Sequence, residues 1–288
     1  MTITVRKLHP LIGAAVTGID LGKPLDQETF QAVHQAWMDH LILVFPGQDI
    51  SDEDHVAFTR YFGEPEIFHQ AIIKSRRMRE IFRVSNVDDD NNLMPPSHPT
   101  VQQVSLAQLW HTDSSYRTEP CMGSLLHGVE ISRTGGITQF TNMYAVYDDL
   151  PDRLKRLVEN RQAIHDFENL HRLRKLRPMT DEERAAVPPI WHPMVRSHPV
   201  TGRKSLFISP IYNNKVEGMD DDAAKALIDE LTAFAEQPNY VYGHQWEPHD
   251  IVMWDNRCTM HAVTPHDPTE RRVMHRTTIV DTAPVLAA

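Results

Sequence analysis

The chain has 288 residues, 41% of them apolar and 24% charged, and a net charge of −10 with histidine neutral. This composition excludes a disordered or low-complexity protein, and the acidic balance argues against nucleic acid as a partner. Two cysteines, Cys121 and Cys258, are too few and too widely spaced for a disulfide framework, which fits a reduced cytoplasm.

The apolar stretch from Leu11 to Val16 is too short for a signal-peptide core or a spanning helix, so no membrane association is expected. Leu11 to Asp20 reads as a short strand and turn punctuated by glycine. Asp26 to His40 is a helix, with Asp26 as N-cap and Phe30, Val33, Trp37 and Met38 at helical spacing. The run Leu41-Ile42-Leu43-Val44-Phe45, closed by Pro46-Gly47, is a buried strand. Ser51 and Asp54 then supply a capping box for a helix through Tyr61.

From Ile81 the texture changes to short β-rich segments: Ile81 to Val84, Gly123 to Val129 and Gly136 to Phe140. Between the first two, Asp88 to Gln103 is a polar, proline-containing loop, read as an active-site lid in preference to a surface insertion. Tyr144 to Asn160 and Asp181 to Ala186 are expected to be helical. The basic run Arg172, Arg174, Lys175 and Arg177 between them is expected to be a solvated helix face. Met219 to Glu236 is an amphipathic helix, and Tyr240 to Tyr242, Ile251 to Trp254, Cys258 to Val263 and Val273 to Val280 are strands. Many short strands with a few helices laid outside predict a mainly β fold of sandwich or jelly-roll type. The whole chain, 1–288, is taken as one domain, with lid segments at 85–108 and 165–190.

Histidine is abundant, with 17 residues, and abundance alone identifies no ligand. The run Trp110-His111-Thr112-Asp113 is more specific. In a strand, residues two apart share a face, so His111 and Asp113 would project together while Thr112 points away. Adding His261 gives two imidazoles and one carboxylate, a set that leaves open positions on an octahedral metal and suits non-haem Fe(II). The competing reading of Asp113-Ser114-Ser115 is a surface turn. Downstream, Arg272 and Arg276 share a face of a strand with Met274 and Thr278, while Arg271 and His275 point outward. Two buried arginines need anionic partners, either acidic side chains of this protein or bound anions.

These residues resemble the Fe(II)/2-oxoglutarate-dependent dioxygenases of the taurine dioxygenase and 2,4-dichlorophenoxyacetate dioxygenase (TauD/TfdA) family. The resemblance spans nearly the whole chain. It is carried by Leu43 to Gln48, Ala57-Phe58 with Phe62-Gly63, Gln108 to Ser115, Gly135-Gly136-Ile137-Thr138, Thr201 to Leu206, Trp254-Asp255-Asn256-Arg257-Cys258 through His261, and Arg271-Arg272 with His275-Arg276. It implies a double-stranded β-helix (jelly-roll, cupin-like) core with flanking helices. It also implies Fe(II) on His111, Asp113 and His261, the distal carboxylate of 2-oxoglutarate on Thr138 and Arg272, and the substrate's own anionic group on Arg276. Ile137 departs from the family pattern, in which this position is usually acidic.

The activity so implied consumes 2-oxoglutarate and O2, releases succinate and CO2, and hydroxylates a C–H bond of a small anionic substrate. Leu109-Trp110 and Ser114-Ser115 lean towards the chlorophenoxyacetate branch, hence an aryloxyalkanoate-like or other apolar carboxylate. Phe68, Leu109, Tyr116 and Tyr212 are the candidate pocket wall. The alternative is a taurine or alkylsulfonate dioxygenase releasing sulfite. More remote are a zinc hydrolase on the same ligands, which lacks an evident general base and leaves Arg272 without a task, and a non-catalytic 2-oxoglutarate sensor. The resemblance also implies a homodimer or homotetramer.

Overall fold

The computed structural model describes residues 2–67, 75 and 78–288. In chain order its elements are β1 (Thr4–Lys7), β2 (Ala14–Thr17), α1 (Gln27–His40), β3 (Ile42–Phe45), α2 (Asp52–Thr59), β4 (Phe82–Ser85), α3 (Pro99–Val104), β5 (Gly123–Glu130), β6 (Thr138–Asn142), α4 (Met143–Asp149) and α5 (Asp152–Val158). There follow β7 (Gln162–His165), α6 (Phe167–Leu173), α7 (Asp181–Ala186), β8 (Ile190–Pro193), β9 (Val195–Ser197), β10 (Lys204–Leu206), β11 (Asn213–Val216) and α8 (Asp221–Ala235). The chain closes with β12 (Val241–His244), β13 (Ile251–Asp255), β14 (Thr259–Val263), β15 (Val273–Ile279) and β16 (Leu286–Ala287).

A seven-stranded sheet has the order β1-β2-β3-β13-β5-β15-β4, and a smaller sheet has the order β12-β6-β14. Within the larger sheet only the β2–β3 pair is parallel. Period-two alternation then decides what each face buries. On one face Leu43, Phe45, Leu125, Met253 and Ile279 pack against Val33 and Trp37 of α1 and Phe58 of α2. On the other, Ile42, Val44, Leu126, Val252, Trp254 and Met274 pack against Phe140 of β6. The Phe140 and Trp254 rings lie 5.5 Å apart, so the two sheets meet face to face. Behind the small sheet, Met260 is buried with residues of α4, α5 and α8. Each fully buried large apolar side chain contributes about 1.5–3 kcal/mol. Among the described residues, no helix is long and apolar enough to cross a membrane.

Local chemistry sets the boundaries. Asp26 caps α1 by accepting from Thr29 N, and Ser51 with Asp54 forms the capping box of α2, which ends at Thr59 rather than Tyr61. The expected helix from Tyr144 to Asn160 is two helices. Pro151 has no N–H to donate and disfavours α backbone at Leu150, so α4 stops there and α5 begins afresh. The expected loop 88–103 contains a helix from Pro99 onward. Pro99 is its first residue, where a missing N–H costs nothing, and His98 caps it. The strand expected from Gly136 begins at Thr138, because Gly135 and Gly136 have φ of 70° and 69°.

Candidate active site

His111 lies outside any extended strand. It forms a single antiparallel bridge with His261 of β14, its N–H donating to His261 O at 2.9 Å and its carbonyl oxygen accepting from His261 N at 2.8 Å. The chain then turns, with Ser114 at φ 51°. The strand expected for Trp110 to Asp113 is therefore a bridge followed by a turn, and both competing readings of this run hold in part. The expected convergence still results. The imidazole centroids of His111 and His261 are 4.2 Å apart, and Asp113 faces both, its carboxylate oxygens 3.8 Å from His111 Nε2 and 3.7 Å from His261 Nε2. All three residues are buried. Thr112 points away, its hydroxyl donating to Thr259 O.

The protonation pattern suits metal binding. His111 Nδ1 lies 2.7 Å from Leu109 O, which accepts its proton and leaves the Nε2 lone pair free towards Asp113. Burial lowers both histidine pKa values, His261 well below the usual range, so both rings are neutral ligands. Burial would raise the Asp113 pKa, but the Arg276 guanidinium and the Ser124 hydroxyl hold it well below the usual carboxylate range. A second cluster, His198, Asp255 and Cys258, also has ligand-type atoms close together. Its carboxylate is taken by Arg257, at 2.9 and 2.7 Å, and by His198 Nε2 at 3.1 Å, while the other His198 nitrogen accepts from two backbone N–H groups. That cluster is a closed ion-pair network. The His111–Asp113–His261 set has two unengaged ring nitrogens aimed at one carboxylate, and its donor chemistry fits Fe(II).

Arg272 immediately precedes β15. It is 6% exposed, and its hydrogen bonds are made by its backbone, the N–H donating to Asn86 Oδ1 at 2.8 Å and the carbonyl accepting from Asn86 N at 3.2 Å. Among the described residues its guanidinium has no carboxylate or other hydrogen-bond partner. Burial pushes its pKa down to about 10, so it stays cationic at neutral pH. It lines a cavity of about 320 Å³ with Asn86, Gln108, Val263 and His266, roofed by Met94, Pro96, Val101 and Val104. A buried cation without a counter-ion is strongly unfavourable, and a bidentate dicarboxylate end fits it. Thr138 is not in that lining. It is the cross-strand neighbour of Val263, and its hydroxyl accepts from Trp246 Nε1 at 2.9 Å.

Arg276 donates to Asp113 Oδ1 at 2.7 Å and stacks over Phe82 at 4.4 Å. Asp113 opposes the effect of burial and raises the Arg276 pKa. Of the two arginines, Arg276 pairs with an acid of this protein, and Arg272 has no acidic partner among the described residues. His275, expected to point outward, is covered by α2 and pairs with Asp52 at 2.6 Å. Arg271 pairs with Glu130 at 2.6 Å near the surface. Of the expected pocket wall, Tyr116 and Tyr212 are buried with Phe167, and Leu109 packs against them. Phe68 lies outside the described residues. Asn86, Ser124 and Asn256, which touch Arg272 or brace Asp113, carried no sequence signal of their own, except that Asn256 falls within the Trp254 to Arg257 run.

The His111–Asp113–His261 set has donor types that could hold a metal ion, and the cavity wall at Arg272 carries a buried cation with no acidic partner among the described residues. The family model described as "Taurine catabolism dioxygenase TauD, TfdA family" matches residues 4–278, and the chain belongs to that family, an oxidoreductase family of 2-oxoglutarate-dependent dioxygenases using Fe(II) and O2. The alpha-ketoglutarate-dependent 2,4-dichlorophenoxyacetate dioxygenase of Cupriavidus pinatubonensis is 35% identical, covering 99% of this chain and 100% of that one. The (S)-phenoxypropionate/alpha-ketoglutarate-dioxygenase of Sphingobium herbicidovorans is 34% identical over 94% of this chain and 92% of its own length. The crystal structure of AAD-2 in complex with Mn(II) and N-oxalylglycine superposes with a TM-score of 0.92 at 35% identity, covering 100% of both chains.

Proposed function

We propose that this dioxygenase hydroxylates a C–H bond of an aryloxyalkanoate-like carboxylate, with His111, Asp113 and His261 holding Fe(II). The observation that carries the co-substrate assignment is the Arg272 guanidinium, buried and unpaired at a cavity wall. It would take the distal carboxylate of 2-oxoglutarate, with Thr138, the cross-strand neighbour of the cavity residue Val263, as the second contact. When bound, Fe(II) would allow O2 to act as oxidant, one oxygen atom going to 2-oxoglutarate as it is converted to succinate and CO2 and the other to the substrate C–H bond. This chain's residues bind, orient and exclude water. His111 and His261 present neutral nitrogens, Asp113 supplies the negative charge, and Arg276 holds the substrate carboxylate while touching Asp113. Tyr116, Tyr212 and Phe167 offer an aromatic wall, their rings 4.6–5.9 Å apart.

The aryl preference is supported by what the relatives named above act on. The architecture is taken as a jelly-roll double-stranded β-helix, since a mainly antiparallel sheet faces a second antiparallel sheet whose strand β14 carries His261. The chain is read as one domain in which segments 85–108 and 165–190 cover the site, because Met94 to Gln108 already roof the Arg272 cavity and Phe167 packs on Tyr116. A cytoplasmic homodimer or homotetramer remains the expected setting. Family membership leaves the zinc-hydrolase and non-catalytic readings without support.

The test is anaerobic. Fe(II) and 2-oxoglutarate added to metal-free protein are expected to give a weak visible charge-transfer band that neither gives alone. The band is expected to shift with an aryloxyacetate and not with taurine. A shift with taurine only, followed by sulfite release in air, would replace the carboxylate reading.

A further inference from the structure

Asp113 is braced from two sides by one residue. Trp254 Nε1 lies 3.0 Å from Asn256 Oδ1, and an indole N–H can only donate. The Asn256 carboxamide is thereby fixed with its oxygen on Trp254 and its two N–H bonds facing the other way. One reaches Ser124 Oγ at 3.0 Å and the other Cys121 Sγ at 3.2 Å. Ser124 Oγ, already accepting from Asn256, is left to donate its own proton, and its partner is Asp113 Oδ2 at 2.8 Å. Cys121 Sγ likewise donates to the Asp113 carbonyl oxygen at 3.3 Å. Every donor in the chain is assigned by the one before it, starting from Trp254. Ser124, Trp254, Asn256 and Cys121 are all buried, so water does not compete.

We infer that Asn256 is a positioning residue for the metal site, holding the side chain of Asp113 through Ser124 and its main chain through Cys121. Asn256 sits in the turn between β13 and β14, and β14 carries His261. The turn that launches one ligand thus sets the orientation of another that is distant in sequence. Without the Ser124 hydroxyl, the donor left on the carboxylate is Arg276 on Oδ1, and the group is free to rotate towards it. The inference rests on the reading that Asp113 is a metal ligand. Hydrogen bonds of this kind to ligating groups are generally worth about 10–100-fold in metal affinity.

The experiment uses the full-length, metal-free protein with Co(II) as probe, read by its d–d absorption without 2-oxoglutarate. Thermal unfolding of the metal-free form is measured in parallel. Ser124→Ala deletes one oxygen atom and Asn256→Ala the whole hub. Both are expected to weaken Co(II) by about tenfold or more and to shift the d–d bands, and the double variant to be no weaker than Asn256→Ala alone. Ser124→Ala is expected to keep the unfolding temperature of metal-free wild type. If Asn256→Ala does not fold, Ser124→Ala decides alone. Co(II) affinity and bands unchanged in folded Ser124→Ala overturn the positioning role while leaving the metal assignment standing. Failure of wild type to bind Co(II) overturns the metal assignment and this inference together.

Discussion

Arg276 Nη1 lies 2.7 Å from Asp113 Oδ1, so the guanidinium proposed for the substrate anion also holds the carboxylate proposed as a metal ligand. Both side chains are nearly buried, at 12% and 6% exposed, and a charge-assisted bond in that setting is strong. A substrate carboxylate arriving at Arg276 therefore meets a cation whose geometry the metal site already fixes. Arg276→Ala is expected to lower kcat/KM for an aryloxyacetate by about thirtyfold or more, the lower end for loss of one partner of a buried charge pair. Steady-state oxygen uptake with parallel succinate and product assays checks it. Succinate formation should persist while substrate hydroxylation falls, and an unchanged substrate KM would remove Arg276 from the substrate.

Arg272 gives the opposite pattern. Its guanidinium has no counter-ion among the described residues, so the ligand-free protein carries an uncompensated buried charge. Replacing it by Met is expected to raise the melting temperature of the metal-free protein while raising the 2-oxoglutarate concentration needed for half-saturation by about thirtyfold or more. Calorimetric unfolding and titration of the anaerobic visible band read the two effects. Equal losses for 2-oxoglutarate and substrate would show that Arg272 serves the site generally.

Gly135-Gly136 owes its composition to that arginine and its loop. A Cβ on Gly136 would lie 3.2 Å from Arg272 Nε, and one on Gly135 would lie 1.9 Å from Pro265 O, each at positive φ. Gly136→Ala is expected to cost about 1 kcal/mol through backbone strain and to raise the KM for 2-oxoglutarate several-fold with little change in substrate KM. Gly135→Ala meets rigid backbone and is expected to unfold at distinctly lower denaturant. A Gly136→Ala enzyme with wild-type 2-oxoglutarate KM would mean the guanidinium has room to move.

Much of this was legible because it is written locally. Asp26 and Ser51 cap their helices by accepting from nearby backbone N–H groups, and the apolar stripe Leu227, Ile228 and Leu231 of α8 faces the core. The meeting of His111, Asp113 and His261 was legible because the motifs around them resemble those of the family. What escaped depends on neighbours distant in sequence. The backbone at His111 is set by its bridge to His261, and Ser124 acquires its task only when β5 pairs with β13 and brings it beside Asn256. The basic run at 172–177 was expected to be a solvated face. Arg172, Lys175 and Arg177 are indeed exposed, with Arg172 and Arg177 in surface ion pairs with Asp166 and Glu183, although the helix itself ends at Leu173.

The His-rich layer beneath α2 predicts the acid limit of the fold. His55 is fully buried, its Nε2 3.2 Å from Thr277 Oγ1 and its ring 6.0 Å from that of His127. His127 has neither ring nitrogen hydrogen-bonded. Asp52, His275, His249 and Asp49 complete the charged surroundings. Burial, reinforced by mutual repulsion among the imidazoles, pushes His55 down to about 3 and His127 to about 4, against 6.5 when exposed. The unfolded chain therefore binds protons below pH 6.5 that the native state refuses. Stability is full above 6.5 and falls as the pH drops towards 4, by about 1.4 kcal/mol per unit for each histidine that stays neutral. The metal-free wild type is steeper still, since His111 and His261 are also buried and neutral. Urea unfolding of metal-free wild type and His127→Gln at pH 7 and pH 5 isolates one contribution. The variant is expected to lose about 1–2 kcal/mol less than wild type between the two, and parallel losses would show that His127 takes up its proton in the folded state.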